Sequence, residues 1–340
     1  PMSQPYPFVE RAVSTVNERC FQTLVDRSSN TAPPRPEPSA DRPPVVSLIG
    51  DTPLIPLTRI TWGIAPDVSI RVKLEGQNPG GSVKDRAALS IILEAQRTGA
   101  LAPGRTLLDA TSGNTGIAYA MLGAALGFPV HLALPGDVSP ERVQVLKAYG
   151  AGLTLTDPSK GTEGAQYFVQ DLAAREPDRY FYADQYNNPA NPLAHRTTTG
   201  PEIWHQTDGQ ITHFVAGLGT GGTMTGVGGY LKERPARVEL VGVQPDSPEH
   251  GISGLKHLAT AEVPGIYDPH MVDQTVDVKT SDAKRMAREL AREEGLFVGI
   301  SAGAAVTAAL KNARSLKEGV VVALLADGGF KYASAPFWTA

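Results

Sequence analysis

Lys84 sits in NPGGSVKDRAA (78–88), where a run of turn-formers and small residues gives way to a helical pattern. Most lysines are solvated surface charges, and Lys84 alone would read as one. A lysine amine brought near neutral pKa, however, is a nucleophile for aldehydes. Two more segments hold residues suited to chemistry. ATSGNTGIA (110–118) clusters Thr111, Ser112, Asn114 and Thr115 between a strand pattern and a helical one. Amides and short polar side chains at the positive end of a helix suit a carboxylate or a phosphate, although Ser, Thr and Asn are also favoured helix caps. GLGTGGTMTG (217–226) again follows a strand pattern. Its glycines would let amides approach an anion closely, and Thr220 and Thr223 would add hydroxyls. A tight turn between a packed strand and helix would use the same glycines. Met224 stands in the way of the Lys-Ser/Thr pair that a nucleotide P-loop requires, and a lone glycine pattern is a weak dinucleotide signal. A buried monophosphate is the better reading.

A nucleophilic lysine beside a pocket for one phosphate suggests pyridoxal 5'-phosphate, which carries both a phosphate and an aldehyde. Positioning these groups falls to alternating strands and helices. SIRVKLEG (69–76) reads as a strand, DRAALSIILEAQRTG (85–99) as a helix closed by Gly99, and RTLLDAT (105–111) as a strand. TGIAYAMLGAALG (115–127) and PVHLALP (129–135) continue as helix and strand. ITHFVAGLG (211–219), VELVGVQP (238–245) and GVVVALLAD (319–327) repeat the apolar strand, with helices such as SDAKRMARELAREEG (281–295) between them. Near-continuous apolar strands separated by helices imply parallel sheets covered on both faces. Ligands of such α/β folds sit beyond the carboxyl ends of strands, where glycine-rich loops lead into helices.

The 340 residues are enough for a large core, usually divided between two domains. A formal net charge of −4 offers no basic field for nucleic acid or an anionic membrane. No apolar run approaches the roughly 20 residues that span a bilayer, and the N-terminus lacks a secretory pattern, so a cytoplasmic protein is expected. Cys20 is the only cysteine, which excludes an intrachain disulfide, a Cys-based zinc site and a dithiol centre; no metal site is expected. Pro1 ahead of Met2 reads as a non-native addition. Residues 1–44 read as an extension: an amphipathic helix over 5–27, then the proline-rich linker TAPPRPEPSADRPP (31–44). The helix suits packing against the main body or a second subunit, or docking to another protein. One α/β domain, carrying Lys84 and the 110–118 loop, is expected over 45–188. A second, carrying the 217–226 turn, is expected over 189–340, with the strand region 56–77 a candidate to join it.

From about Ile49 to Ser334 the chain resembles the fold-type II pyridoxal-phosphate enzymes, and most closely the O-acetylserine sulfhydrylases of B type. IGDTPL, KLEGQNPGGSVKDRAALS, TSGNTGIA, DQYNNPANP, TTTGPEIW, THFVAGLGTGGTMTGV, VGISAGAA and KYAS match in order. The resemblance implies two doubly wound, tryptophan synthase β-like α/β domains and pyridoxal 5'-phosphate as cofactor. Lys84 would bond to the cofactor's aldehyde and, once released, move the substrate's Cα proton. Asn114 would meet the ring hydroxyl, and Gly219, Thr220, Gly221, Gly222 and Thr223 would hold the phosphate. Thr111, Ser112, Thr115 and Gln185 would take the substrate's carboxylate. In A-type relatives a serine near the end of the chain faces the pyridine nitrogen, but ADGGF places Gly328 there. B-type enzymes also lack that serine, and Ser301 becomes the candidate, with a helix cap as the alternative or an added role. Asp51 stands where the family often has asparagine.

The implied reaction is the β-replacement of O-acetyl-L-serine through an α-aminoacrylate, with sulfide or another sulfur donor giving L-cysteine and acetate. O-phosphoserine sulfhydrylase and cystathionine β-synthase are the rival activities. For the latter, neither a regulatory module nor a haem-binding Cys/His pair around Cys20 is evident, and His195 better suits holding a loop than a metal. A serine or threonine dehydratase fits less well. A silent binding partner of serine acetyltransferase is the non-enzyme alternative, against which the intact Lys84 argues. PDSPEHGISGLKHL (245–258) aligns with a segment where phosphoserine-using relatives present an arginine; here it offers Lys256 and His257, with Asp246 and Glu249 close in sequence. A single lysine is a weaker phosphate clamp than an arginine fork, so O-acetylserine is the expected donor. A homodimer is expected, and the C-terminus of serine acetyltransferase is a candidate partner.

Overall fold

A computed structural model describes residues 43–339 apart from Ser112. The amphipathic helix and nearly all of the proline-rich linker lie outside them. Two open sheets carry the fold. The larger draws on both ends of the sequence: β1 (Leu54–Pro56) pairs antiparallel with β2 (Asp67–Leu74), and β2 pairs in parallel with the last strand, residues 318–325. After β2 the chain forms α1 (Lys84–Arg97), then the smaller sheet with its helices: β3 (Thr106–Ala110), α2 (Asn114–Leu126), β4 (Val130–Pro135), α3 (Pro140–Ala148), β5 (Gly152–Thr156), α4 (Gly161–Arg175) and β6 (Tyr180–Tyr182). Its order is β5-β4-β3-β6, all parallel. Short helices α5 (Ala190–Ala194) and α6 (Gly200–Gln206), joined by a π-helical turn over His195–Thr199, return the chain to the larger sheet. There follow β7 (Ile211–Gly217), α7 (Gly222–Leu231), β8 (Glu239–Pro245), β9 (Gln274–Val278), α8 (Thr280–Glu293), α9 (Ile300–Ala313) and β10 (Glu318–Leu325), giving the order β1-β2-β10-β7-β8-β9.

The predicted strands and helices form for the reasons their patterns suggest. Leu107, Leu108 and Ala110 of β3 and Val321 to Leu325 of β10 are buried, as strands covered on both faces must be. Helix α8 buries Ala283, Met286, Ala287 and Leu290, the i, i+3, i+4, i+7 stripe of an amphipathic helix. Helix α9 is buried almost throughout and is built of small residues. A Cβ on Gly303 would lie 2.2 Å from the Ala283 carbonyl oxygen, so α8 and α9 cross with their backbones in near contact. Gly99 and Gly127 follow α1 and α2 at φ of 77° and 78°, the left-handed C-terminal stop of a helix.

Buried charge fixes where α1 starts. Arg86 of α1 donates to Glu75 through Nε (2.7 Å) and Nη2 (2.9 Å), and to Glu202 of α6 through Nη1 (2.6 Å) and Nη2 (2.7 Å). Lys73 of β2, fully buried, donates to Glu202 at 2.6 Å, to the Thr52 carbonyl at 2.6 Å and to Gln206 at 2.8 Å. Burial raises the Glu75 carboxyl, yet Arg86, Thr52 and Lys73 together hold it down at about 2. Two cations and two carboxylates therefore neutralise one another where β2, α1 and α6 meet. Asp85, also buried, accepts from the Gly80 amide at 2.5 Å and so closes the turn that precedes Lys84.

Candidate active site

A cavity of about 780 Å3 opens where the loops after β3, β7 and β10 meet the start of α1; this is within the usual size of a small-ligand site. Lys84, Thr111, Asn114, Thr115, Gln185, Gly219, Thr220, Gly221, Thr223, Lys256 and Ser301 all line it. Gly222 is not in its wall, and Ser112 lies outside the described residues. Residues separated by more than two hundred positions are thus gathered around one space.

Lys84 is the first residue of α1, held by the chain's turn through Asn78–Gly81, and its amide donates to the Ser82 hydroxyl at 3.2 Å. Desolvation pushes its amine below the usual lysine value, while the Asp327 carboxylate pulls the other way. The positive end of α1 also disfavours an ammonium there. An amine so placed is readied to act as a nucleophile and a base.

The other two segments supply donors. Asn114 and Thr115 begin α2; Thr115 donates to Gln185 at 2.7 Å, which joins the loop after β3 to the segment after β6. Beneath that junction the buried Asp109 accepts from the Ala110 amide at 2.8 Å, and burial raises its carboxyl to about 7. Asn191 then bridges the Gln185 carbonyl (2.8 Å) and the Thr220 hydroxyl (3.3 Å), tying the Thr115–Gln185 pair to the glycine turn. The glycines of that turn serve packing as well as approach. Gly221 has φ of 81° and a Cβ there would lie 2.7 Å from Tyr267, while one on Gly219 would lie 2.2 Å from the Gly254 carbonyl. Substituting Gly221 therefore reports on packing and is a poor probe of anion binding. Ser301 lies in the first turn of α9, and Gly328, with no side chain, bridges to Val298.

His195 is buried, with Nδ1 at 2.9 Å from the Thr199 hydroxyl and Nε2 at 3.3 Å from that of Thr223. It braces the glycine turn from the π-helical segment; among the described residues no cluster of His, Cys, Asp or Glu could hold a metal. Burial, reinforced by Arg86, pushes its pKa down to about 3. The unfolded chain binds a proton here below about 6.5 and the folded protein does not until about 3. Stability is thus expected to fall by up to ~1.4 kcal/mol per pH unit across that window. Denaturant melts at pH 7, 6 and 5 should show this slope reduced in His195→Gln; an unchanged slope would place the titration elsewhere.

Lys256 reaches the cavity but is not a free cation. Its amine donates to the Glu262 carbonyl at 3.0 Å and lies 4.7 Å from the centre of the Tyr186 ring. The carboxylates acting on it are Glu262 and Glu163, the latter in the first turn of α4 and in the cavity wall, and not Asp246 and Glu249. Sequence reasoning also missed Lys331, Tyr332, Asp327 and Asn191. Lys331 and Tyr332 lie in KYAS, to which no site role was attached, and Asn191 in DQYNNPANP, of which only Gln185 was given one.

The residues present fit pyridoxal 5'-phosphate. A half-buried lysine, a helix-opening turn of glycines and threonines, and a Thr–Gln cluster share one cavity large enough for the cofactor and a small amino acid. A family model for pyridoxal-phosphate dependent enzymes matches residues 45–327. Over 296 residues the chain is 52% identical to a cysteine synthase of Aquifex aeolicus, covering 86% of this chain and 90% of that one. It is 47% identical to cysteine synthase B of Escherichia coli over 288 residues, 84% of this chain and 93% of that one. Among solved structures, a cysteine synthase of Entamoeba histolytica superposes with a TM-score of 0.85 at 36% identity, covering 91% of this chain and 94% of that one. With the fold and the sequence agreeing over most of its length, the chain belongs to the pyridoxal-phosphate-dependent enzymes of fold type II.

Proposed function

We propose that this protein is a cysteine synthase that converts O-acetyl-L-serine and sulfide to L-cysteine and acetate. The gathering of Lys84, the Gly219–Thr223 turn and the Thr111–Thr115–Gln185 cluster in one cavity carries the reading. When bound, pyridoxal 5'-phosphate supplies the electron sink that makes the substrate's Cα–H acidic and lets its β-substituent depart. Lys84 anchors the cofactor, then takes the Cα proton and later returns it. Amides and hydroxyls of Gly219, Thr220, Gly221 and Thr223 would hold the phosphate, with Gly222, outside the cavity wall, shaping the turn; Asn114 would meet the ring hydroxyl and Ser301 the pyridine nitrogen. Thr111, Ser112, Thr115 and Gln185 orient the substrate carboxylate. Over the cycle the Cβ–O bond to acetate breaks and a Cβ–S bond forms. Purified protein supplied with cofactor, O-acetylserine and sulfide should yield cysteine; pyruvate as the sole product would make it a dehydratase.

Phosphoserine is the donor that a cation in the wall would favour, and Lys256 is the observation behind that second reading. Its amine is already committed to the Glu262 carbonyl and the Tyr186 ring, with Glu163 nearby, so a dianionic leaving group is poorly matched. O-acetylserine should have the higher kcat/KM, and Lys256→Ala should change its value by less than about threefold. A higher kcat/KM for phosphoserine, lost in Lys256→Ala, would reverse the assignment. The protein acts as a homodimer, and the carboxylate cluster offers a seat to the C-terminal carboxylate of a serine acetyltransferase; light scattering and peptide titration read these two points. Among the described residues no helix is long and apolar enough to cross a membrane.

A further inference from the structure

The turn after β10 reaches across the cavity to groups that lie far away in sequence. Lys331 donates to the Asn114 side-chain oxygen at 2.6 Å, and also to the carbonyls of Gly80 (2.9 Å) and Gly81 (3.2 Å) in the turn before Lys84. The Asn114 nitrogen donates to Asp327 at 2.8 Å, and Tyr332 donates to the same Asp327 oxygen at 2.6 Å. Tyr332 also meets the Asn114 side chain, and the Arg142 guanidinium of α3 lies 5.9 Å from the centre of its ring. Asp327 is buried and its second oxygen has no hydrogen-bond partner.

A carboxamide can present either its oxygen or its N–H groups, and the two faces are nearly isosteric. Here a cation that can only donate takes the oxygen, and a carboxylate that can only accept takes an N–H. The flip of Asn114 is thereby set by charge. With the oxygen engaged, what Asn114 can offer a ligand is an N–H, the form a cofactor's ring oxygen requires.

We propose that Lys331, acting with Asp327, is a positioning residue that fixes the flip of Asn114 and locks it to the Gly80–Gly81 backbone from which Lys84 emerges. The proposal rests on Asn114 being a cofactor contact, as put forward above. In this role Lys331 acts through Asn114 and the turn, although it also lines the cavity.

The test is a double-mutant cycle on the full chain, titrated with pyridoxal 5'-phosphate and followed by the visible absorption band and by Kd. Lys331→Met should weaken Kd about tenfold, the scale of a charge-assisted hydrogen bond, and shift the band. Lys331→Arg, which keeps the donors, should restore most of both. Because Lys331 works through Asn114, Lys331→Met in an Asn114→Ala background should add less than about threefold. If Asn114→Ala weakens Kd but Lys331→Met does not, or if the two effects simply multiply, the positioning role is wrong while Asn114 stands as a contact. If Asn114→Ala alone leaves Kd and band unchanged, the contact itself is wrong and the proposal falls with it. Should Lys331→Met fail to fold, Lys331→Gln, which removes the charge and keeps a polar side chain, enters the same cycle with the same outcomes.

Discussion

Lys84→Ala should lower cysteine formation by more than about 10³-fold while leaving the protein folded, because in the proposed mechanism one side chain serves as both cofactor anchor and proton carrier. The stability of this variant carries a second, independent sign. Desolvation lowers the pKa of the Lys84 amine in the folded protein. Below the ordinary lysine value of 10.5 the unfolded chain binds a proton that the folded site resists, so the native residue costs stability at neutral pH. The cost should fade as pH rises toward 10.5. In cofactor-free form Lys84→Ala is therefore expected to unfold at equal or higher denaturant than the native chain at pH 7, and the gap should narrow at alkaline pH. Near-normal turnover in the variant would end the catalytic assignment; a large loss of stability would show that the amine is a structural partner instead.

Arg86→Met should destabilise the protein by about 3–5 kcal/mol, the usual consequence of leaving one half of a buried ion network unpaired. Glu75 would keep a buried carboxylate from which the hydrogen bonds at 2.7 and 2.9 Å had been removed. Arg86→Lys should recover only part of this, since an ammonium cannot fork between Glu75 and Glu202. Adding Glu75→Gln to Arg86→Met should recover some stability by removing the unpaired charge. Glu75 also gives the native protein an acid limit. Its folded pKa of about 2 lies below its ordinary 4.5, so its stabilising contribution is complete above 4.5 and is lost as pH falls toward 2. Chemical denaturation of the four proteins at pH 7 and pH 4 reads all of this. A cost below about 1 kcal/mol for Arg86→Met would mean that water enters and replaces the guanidinium.

Much of the site was legible because its parts are local. A strand passing into a helix through TSGNTG or GLGTGG is specified by adjacent residues: apolar runs make the strand, glycines permit the turn, and the helix start presents amides. The same held for Lys84, whose turn and helix lie within one short segment. The structure brings these separately read segments to one cavity and adds a reason for the glycines, since Gly219 and Gly221 are also needed for close packing. Local reading was incomplete at Lys256: the carboxylates acting on it are Glu262, close by in sequence, and Glu163 of α4, far from it in sequence, and not Asp246 and Glu249.

What the amino-acid order determined by itself was therefore the chemistry each loop could offer and the period of the element behind it. Tertiary structure alone decided which groups are buried and what they face. Lys331 meets Asn114 across 217 positions and Asp327 meets it across 213. Arg86 and Glu202 stand 116 positions apart, and His195 braces Thr223 from 28 positions away. No periodicity encodes such pairs, because each depends on two sheets folding until the intervening water is gone. In that low-dielectric setting the same lysine can become a nucleophile, a brace or a counter-charge; Lys84, Lys331 and Lys73 are alike as letters and were separated by burial and by partner.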